Sequence, residues 1–238
     1  KGLLEKIVAV ESCVYLSNQL VSLIPHIKEC LENASLADTY FSDQLSVVYS
    51  LRDYLYLSSI NNLIGLDAVL AAISKIKWDI KEVRSQHSEY VDALIQRFNE
   101  FSLKFDHLSG IVPIESDVKN KIWSIAFQSA AYLFVEGFSN AKKCTNEGRA
   151  LMQLDYRQFV LKTEKLTDMR PIPCQDFVTT YIKAFYIPES ELEGWVGAHQ
   201  EYSAAQLSAL VNAVAYSNNK ARQKLNNIVN DLQSKIRR

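Results

Sequence analysis

Turn-forming residues are scarce in this chain: 238 residues hold only 7 Gly and 5 Pro. A many-stranded sandwich or barrel needs a turn about every 8–12 residues and is excluded. A Gly-rich nucleotide-binding α/β fold is excluded for the same reason. Net charge is almost absent, at −1, so no global field draws in nucleic acid or an anionic membrane. The four cysteines, Cys13, Cys30, Cys144 and Cys174, form no C-x-x-C pair and no zinc spacing. They read as reduced, mostly buried thiols of a cytosolic protein. No signal peptide is apparent. The chain starts at Lys1 rather than Met, which reads as a piece of something larger. No segment is expected to cross a membrane. The longest uncharged run, Tyr202–Asn219, is rich in Ser and Asn, and the more apolar Ile122–Val135 stops after about 14 residues.

What remains is a globular composition, 48% hydrophobic and 22% charged, with helical spacing almost throughout. Leu3, Ile7, Val10, Val14, Val21 and Ile24 fall on one helix face, and Pro25 should kink or restart that helix. Ser35 suits the N-cap of the next helix. That helix repeats Leu36, Tyr40, Val48, Leu51 and Leu55 and should end near Gly65. From Ile73 through Ile76, Ile80, Val83, His87, Tyr90, Leu94, Phe98, Phe101 and Phe105 to Leu108, apolar residues alternate steps of three and four. This predicts one unbroken Leu66–Leu108 helix, roughly 65 Å long. Ser116 caps a further helix running to about Cys144, and Asn146–Gly148 reads as a break. Arg149–Leu166 resumes helix, and short helices follow near 174–186, 189–198, 204–216 and 219–236. Ser203 with Gln206 forms a capping box. The expected fold is all-α: an elongated bundle or rod of long antiparallel helices, then shorter C-terminal ones. Residues 1–145 should form the long-helix part and 146–238 the shorter-helix part, packed continuously with the first.

Chemistry is hard to find. No His-Glu-x-x-His, Gly-x-Ser-x-Gly or phosphate loop occurs. The expectation is no enzyme, no metal and no cofactor. His87 falls on the predicted seam as a partly buried residue with a satisfied ring nitrogen. Cys174 precedes a helix N-terminus, which can lower a thiol pKa. Tyr54, Tyr56, Tyr181, Phe185 and Tyr186 read as packing residues, since no basic stripe interleaves them. Charge is uneven. Residues 1–70 carry four Lys/Arg against eight Asp/Glu, whereas 219–238 carry six Lys/Arg against one Asp. That basic end, Lys220, Arg222, Lys224, Lys235, Arg237 and Arg238, is the expected partner or membrane contact. Arg170-Pro171-Ile172-Pro173 cannot be helical and reads as an ordered elbow, with Ile172 buried.

Several stretches resemble a known family in order along the chain. They are Lys77-Trp78-Asp79-Ile80-Lys81-Glu82-Val83, Ser85-Gln86-His87, Tyr90-Val91-Asp92-Ala93-Leu94, Val135-Glu136-Gly137-Phe138, Lys142-Lys143-Cys144 and the run from Asn146 to Asp155. Glu164–Asp168, Arg170–Pro173, Tyr181–Ala184 and Lys220–Leu225 complete the set. Together they resemble the syndetin C-terminal domain. The resemblance implies a non-enzymatic rod-like subunit of a multisubunit tethering complex that acts on vesicles in endocytic recycling. It implies protein partners, namely subunits of the recycling and retrograde complexes, SNAREs and small GTPases, and a cytoplasmic location, peripheral on recycling endosomes and trans-Golgi-related membranes. No catalytic residue is carried over. The competing reading is a peripheral membrane or phosphoinositide-binding module acting through the basic C-terminal helix.

Overall fold

The structure, a computed structural model, describes residues 2–167 and 169–236. The described residues are all-α, with no strand. The helices are α1 (Leu3–Glu29), α2 (Ala34–Ile64), α3 (Leu66–Ile73), α4 (Glu89–Ile111) and α5 (Ser116–Ser139). They continue with α6 (Asn146–Thr167), α7 (Gln175–Ala184), α8 (Glu189–Ala198), α9 (Ala204–Val214) and α10 (Asn219–Ile236). Contacts group the chain into two units, Lys1–Leu63 with Asp106–Ala126, and Ile64–Phe105 with Phe127–Arg238.

In the first unit, α1 buries Leu3, Ile7, Val10 and Val14 of the expected stripe, leaves Val21 exposed and Ile24 half-buried, and runs unbroken through Pro25. Proline removes only one helical hydrogen bond there. An 18-residue window of α1 has mean hydropathy 1.5, long and apolar enough to cross a membrane by length and composition. The sequence reading did not pick it out. Its stripe packs within the unit, and polar contacts tie it to α2. Tyr56 donates to Glu11 Oε1 at 2.5 Å, Arg52 Nε lies 2.8 Å from the same oxygen, and Lys6 donates to Ser59 Oγ at 2.9 Å. The cap of α2 is Asn33, not Ser35: Asn33 Oδ1 accepts from the Ser35 amide at 3.2 Å and from its hydroxyl at 2.7 Å. Asn and Ser cap about equally well, so the residue nearer the true start takes the role.

In the second unit, Gly65 ends α2 with φ 64°, ψ 54°, the left-handed geometry glycine adopts freely. Arg97 Nη1 donates to the Ile64 carbonyl at 2.9 Å and satisfies that helix end. Tyr90, Leu94, Phe98, Phe101 and Phe105 form the buried seam of α4, as expected. Phe134 is the hub of an aromatic core, with ring centroids 6.2, 5.7, 5.0 and 5.2 Å from Tyr90, Phe138, Tyr156 and Phe159. A second cluster stacks Phe177, Tyr202 and Trp195 across α7 and α8. The Ser203–Gln206 capping box is present at α9, and Tyr181 donates to the Gln206 carbonyl at 2.9 Å. The amphipathic α10 packs on α9 and α8, burying Leu225 and Val229.

One expectation fails outright. Leu66–Leu108 is not one helix: α3 stops at Ile73, residues 74–88 are irregular, and α4 starts at Glu89. The apolar spacing continues, but distant residues capture the backbone groups that a helix would use internally. The cysteines also differ from expectation. All are free, but Cys13, Cys30 and Cys174 are exposed and Cys144 is half-buried. Cys30 and Cys174 stand at helix caps and Cys144 in the loop before α6, where no helix face turns them inward.

Candidate functional site

Trp78 is the anchor of the irregular segment. Its ring is 3% exposed and meets Phe138 edge-on at 5.5 Å. Its carbonyl accepts from the Thr145 amide at 3.1 Å and the Thr145 hydroxyl at 3.3 Å. The same hydroxyl donates to the Ile80 carbonyl at 2.7 Å. It also accepts from the Gly148 amide at 3.1 Å, which makes Thr145 the N-cap of α6. Asn146–Gly148, expected as a break, is therefore the first turn of α6. Gly148 lets two backbones meet there: a Cβ on it would lie 1.9 Å from the Trp78 carbonyl oxygen.

At the far end of the segment, the Ser88 amide donates to Asp155 Oδ1 at 2.7 Å in the interior. The Tyr90 hydroxyl lies close enough to interact with the Asp155 carboxyl. Burial holds the Asp155 carboxyl above the usual carboxylate range, against the pull of the Ser88 amide, the Tyr90 hydroxyl and His87. His87 sits in the loop rather than on a helix seam, with Nε2 2.9 Å from Asp92 Oδ1. Asp155 thus positions the start of α4.

The sign of its pH effect follows. A carboxyl whose pKa is raised by folding favours the protonated folded state. Its penalty is absent below the ordinary value near 3.9 and grows as pH rises through the folded value. Asp155→Asn keeps the acceptor for Ser88 and adds a donor that can meet Tyr90. At neutral pH this variant is expected to be at least as stable as the parent, with a flatter stability–pH curve. Asp155→Leu, which orphans the buried Ser88 amide, is expected to lose about 1–3 kcal/mol. Denaturant titrations from acid to neutral pH check both.

The position of Cys174 before α7 does not lower its thiol pKa. Burial raises the Cys174 thiol above its ordinary value, and the Cys144 thiol rises to about 11 by the same cause. No group of three or more His, Cys, Asp or Glu that could hold a metal occurs among the described residues. In the elbow, Ile172 is 3% exposed, as expected. Of the basic end, Lys220 is exposed, Arg222 donates to Asn219 Oδ1, and Lys224 pairs with Glu193 at 2.7 Å. Arg237 and Arg238 lie outside the described residues, as does Asp168 of the resemblance, and the Lys235 side chain is likewise outside them.

Sequence reasoning missed the face that α2 presents. Leu36, Tyr40 and Leu51, read as its repeating stripe, are exposed, and Val48 and Leu55 are half-buried. The inward residues are Ala37, Tyr56, Ile60 and Ile64. Leu36, Tyr40, Asp43, Val47, Leu51 and Tyr54 form a continuous three-four seam. Its five apolar members are 48–67% exposed. At 1.5 Å per residue the seam is roughly 27 Å long. The packing residues Tyr56, Tyr181 and Phe185 are buried as expected, while Tyr54 and Tyr186 are not. Tyr186 lies under Arg149, 5.0 Å from its guanidinium.

A family model described as "Syndetin, C-terminal" matches residues 1–230. The syndetin of Gallus gallus is 42% identical over 235 residues, covering 97% of this chain and 25% of that protein. The syndetin of Mus musculus is 43% identical over 228 residues, covering 94% of this chain and 24% of that protein. The chain thus spans about a quarter of the length of the curated relatives it matches. No solved structure matches it.

Proposed function

This chain belongs to the syndetin C-terminal family, and on that premise we propose that it is a non-enzymatic scaffold module of a vesicle-tethering complex. The complex acts in endocytic recycling, peripheral on recycling endosomes, alongside SNAREs and small GTPases. The observation that carries this reading is the exposed seam of α2. A three-four apolar stripe of five large side chains is the surface that a second helix covers in knobs-into-holes packing.

Charge selects the occupant. In the first unit Lys28, Arg52 and Lys121 are paired with Asp38, Glu11 and Asp53, and Lys6 and Lys119 make no ion pair among the described residues. Asp43 lies on the seam itself, and Glu29 and Glu32 lie exposed just before α2, none of them in an ion pair among the described residues. A second copy would bring the same excess of acid. The complementary partner is a helix of another subunit with an apolar stripe flanked by Lys and Arg.

Photo-crosslinking residues placed at Tyr40 and Tyr54 of the intact protein in cells, followed by peptide mapping, test this. The crosslinked peptide should come from another subunit of the complex and carry three-four apolar spacing with excess Lys/Arg. Crosslinks to a second copy, to an acidic segment or to nothing would contradict it.

A further inference from the structure

Two loops far apart in sequence bring four lysines to one concavity. Lys75 and Lys77 follow α3, and Lys142 and Lys143 follow α5. They line a cleft of about 490 Å³ together with the Trp78 and Ala141 region. All four are exposed. Asp79 is the one carboxylate among the lining residues. Lys75, Lys77 and Lys142 make no ion pair among the described residues, and Lys143 Nζ lies 5.1 Å from the Tyr216 ring centroid.

The cleft is held open by its backbone. Trp78 is locked by Phe138 and Thr145 as described above. The turn after α3 is closed by Lys75 N–H to Ala72 and Ile76 N–H to Ile73, at 3.1 and 2.9 Å. The turn after α5 is closed by Ala141 N–H to Phe138 at 3.1 Å and by Asn140 Nδ2 to Glu136 at 3.1 Å. Both helices end at the cleft. Their negative ends favour a cation apiece, which leaves two further ammonium groups over. Four ammonium groups against one carboxylate on a fixed frame suit an anion of multiple charge. Lysine binds phosphate as a point charge, and the volume is that of a small-molecule site.

We propose that this cleft binds a small polyphosphorylated ligand, an inositol polyphosphate either free or as a lipid headgroup. The site is separate from α10 and from the α2 seam, so its failure would leave the scaffold reading untouched.

The test is calorimetric titration of the 238-residue chain with inositol trisphosphate at low and physiological salt. Flotation with phosphatidylcholine vesicles, with and without phosphatidylinositol bisphosphate, separates the sources. The trisphosphate should bind, more weakly as salt rises. Lys75→Gln with Lys142→Gln should weaken binding about tenfold or more, since each removes a hydrogen bond to a charged group, at an unchanged melting temperature. Lys220→Gln with Lys224→Gln should leave binding as it was. Flotation only with the phosphoinositide identifies the lipid source, and binding without flotation the soluble one. No binding at low salt, equal binding by the Lys75/Lys142 variant, or loss through the α10 variant would overturn the proposal.

Discussion

Gly148→Ala is expected to destabilise the chain by about 3 kcal/mol or more, at the upper end of overpacking costs. The new methyl carbon would lie 1.9 Å from the Trp78 carbonyl oxygen and 2.8 Å from its carbon, with Cys144 Sγ at 3.3 Å. A flexible side chain could swing away; a backbone carbonyl cannot. Moving it breaks the two bonds from Thr145 and lifts the Trp78 ring off Phe138. For a chain of this size the melting temperature should fall by roughly 6–12 °C. Gly194→Ala is the control. Nothing lies within 4 Å of its Cβ, and alanine in a helix interior is favoured by about 1 kcal/mol, so its melting temperature should hold or rise. Parallel thermal melts decide the matter. A Gly148→Ala variant that melts with the parent would mean that the 74–88 segment does not dock on the start of α6.

The same segment marks the limit of what the sequence made legible. Scarce Gly and Pro and the three-four period point directly to an all-α chain, and the buried seam Tyr90–Phe105 and the Ser203–Gln206 cap are local patterns that the structure keeps. The period also continues through Ile76, Ile80 and Val83, where no helix forms. The partners that take the backbone of Trp78, Ile80 and Ser88 lie 65–67 residues away, beyond the reach of any local pattern. Both ends of that docking, Lys77–Val83 and Asn146–Asp155, lie in stretches that resemble the family, but nothing in the sequence joins them. The basic cleft was missed for a related reason. Its lysines come as two separate pairs, while the eye is drawn to the dense run at the C-terminus. For α2 the period is right and the face is wrong. Apolar residues line more than one side of that helix, so spacing alone does not say which side turns inward.

The exposed face of α2 carries the proposed scaffold role. Tyr40, Val47 and Tyr54 project from α2 at 64%, 60% and 67% exposure. Exposed substitutions typically change stability by less than about 0.5 kcal/mol each, and glutamate is a better helix former than tyrosine or valine. The triple variant Tyr40→Glu, Val47→Glu, Tyr54→Glu should therefore fold as the parent does. It removes the apolar seam and adds three carboxylates beside Asp43, so a partner helix loses its burial. Losing a hot-spot aromatic at the centre of an interface costs about 2 kcal/mol or more, roughly thirtyfold in affinity. The direct measurement is co-precipitation of the proposed tethering-complex subunits with the intact protein in cells, parent against triple variant, with thermal melts of the 238-residue chain alongside. The variant should lose those subunits while its melting temperature stays within a few degrees. Subunits recovered at parental levels with an unchanged melt would contradict that role.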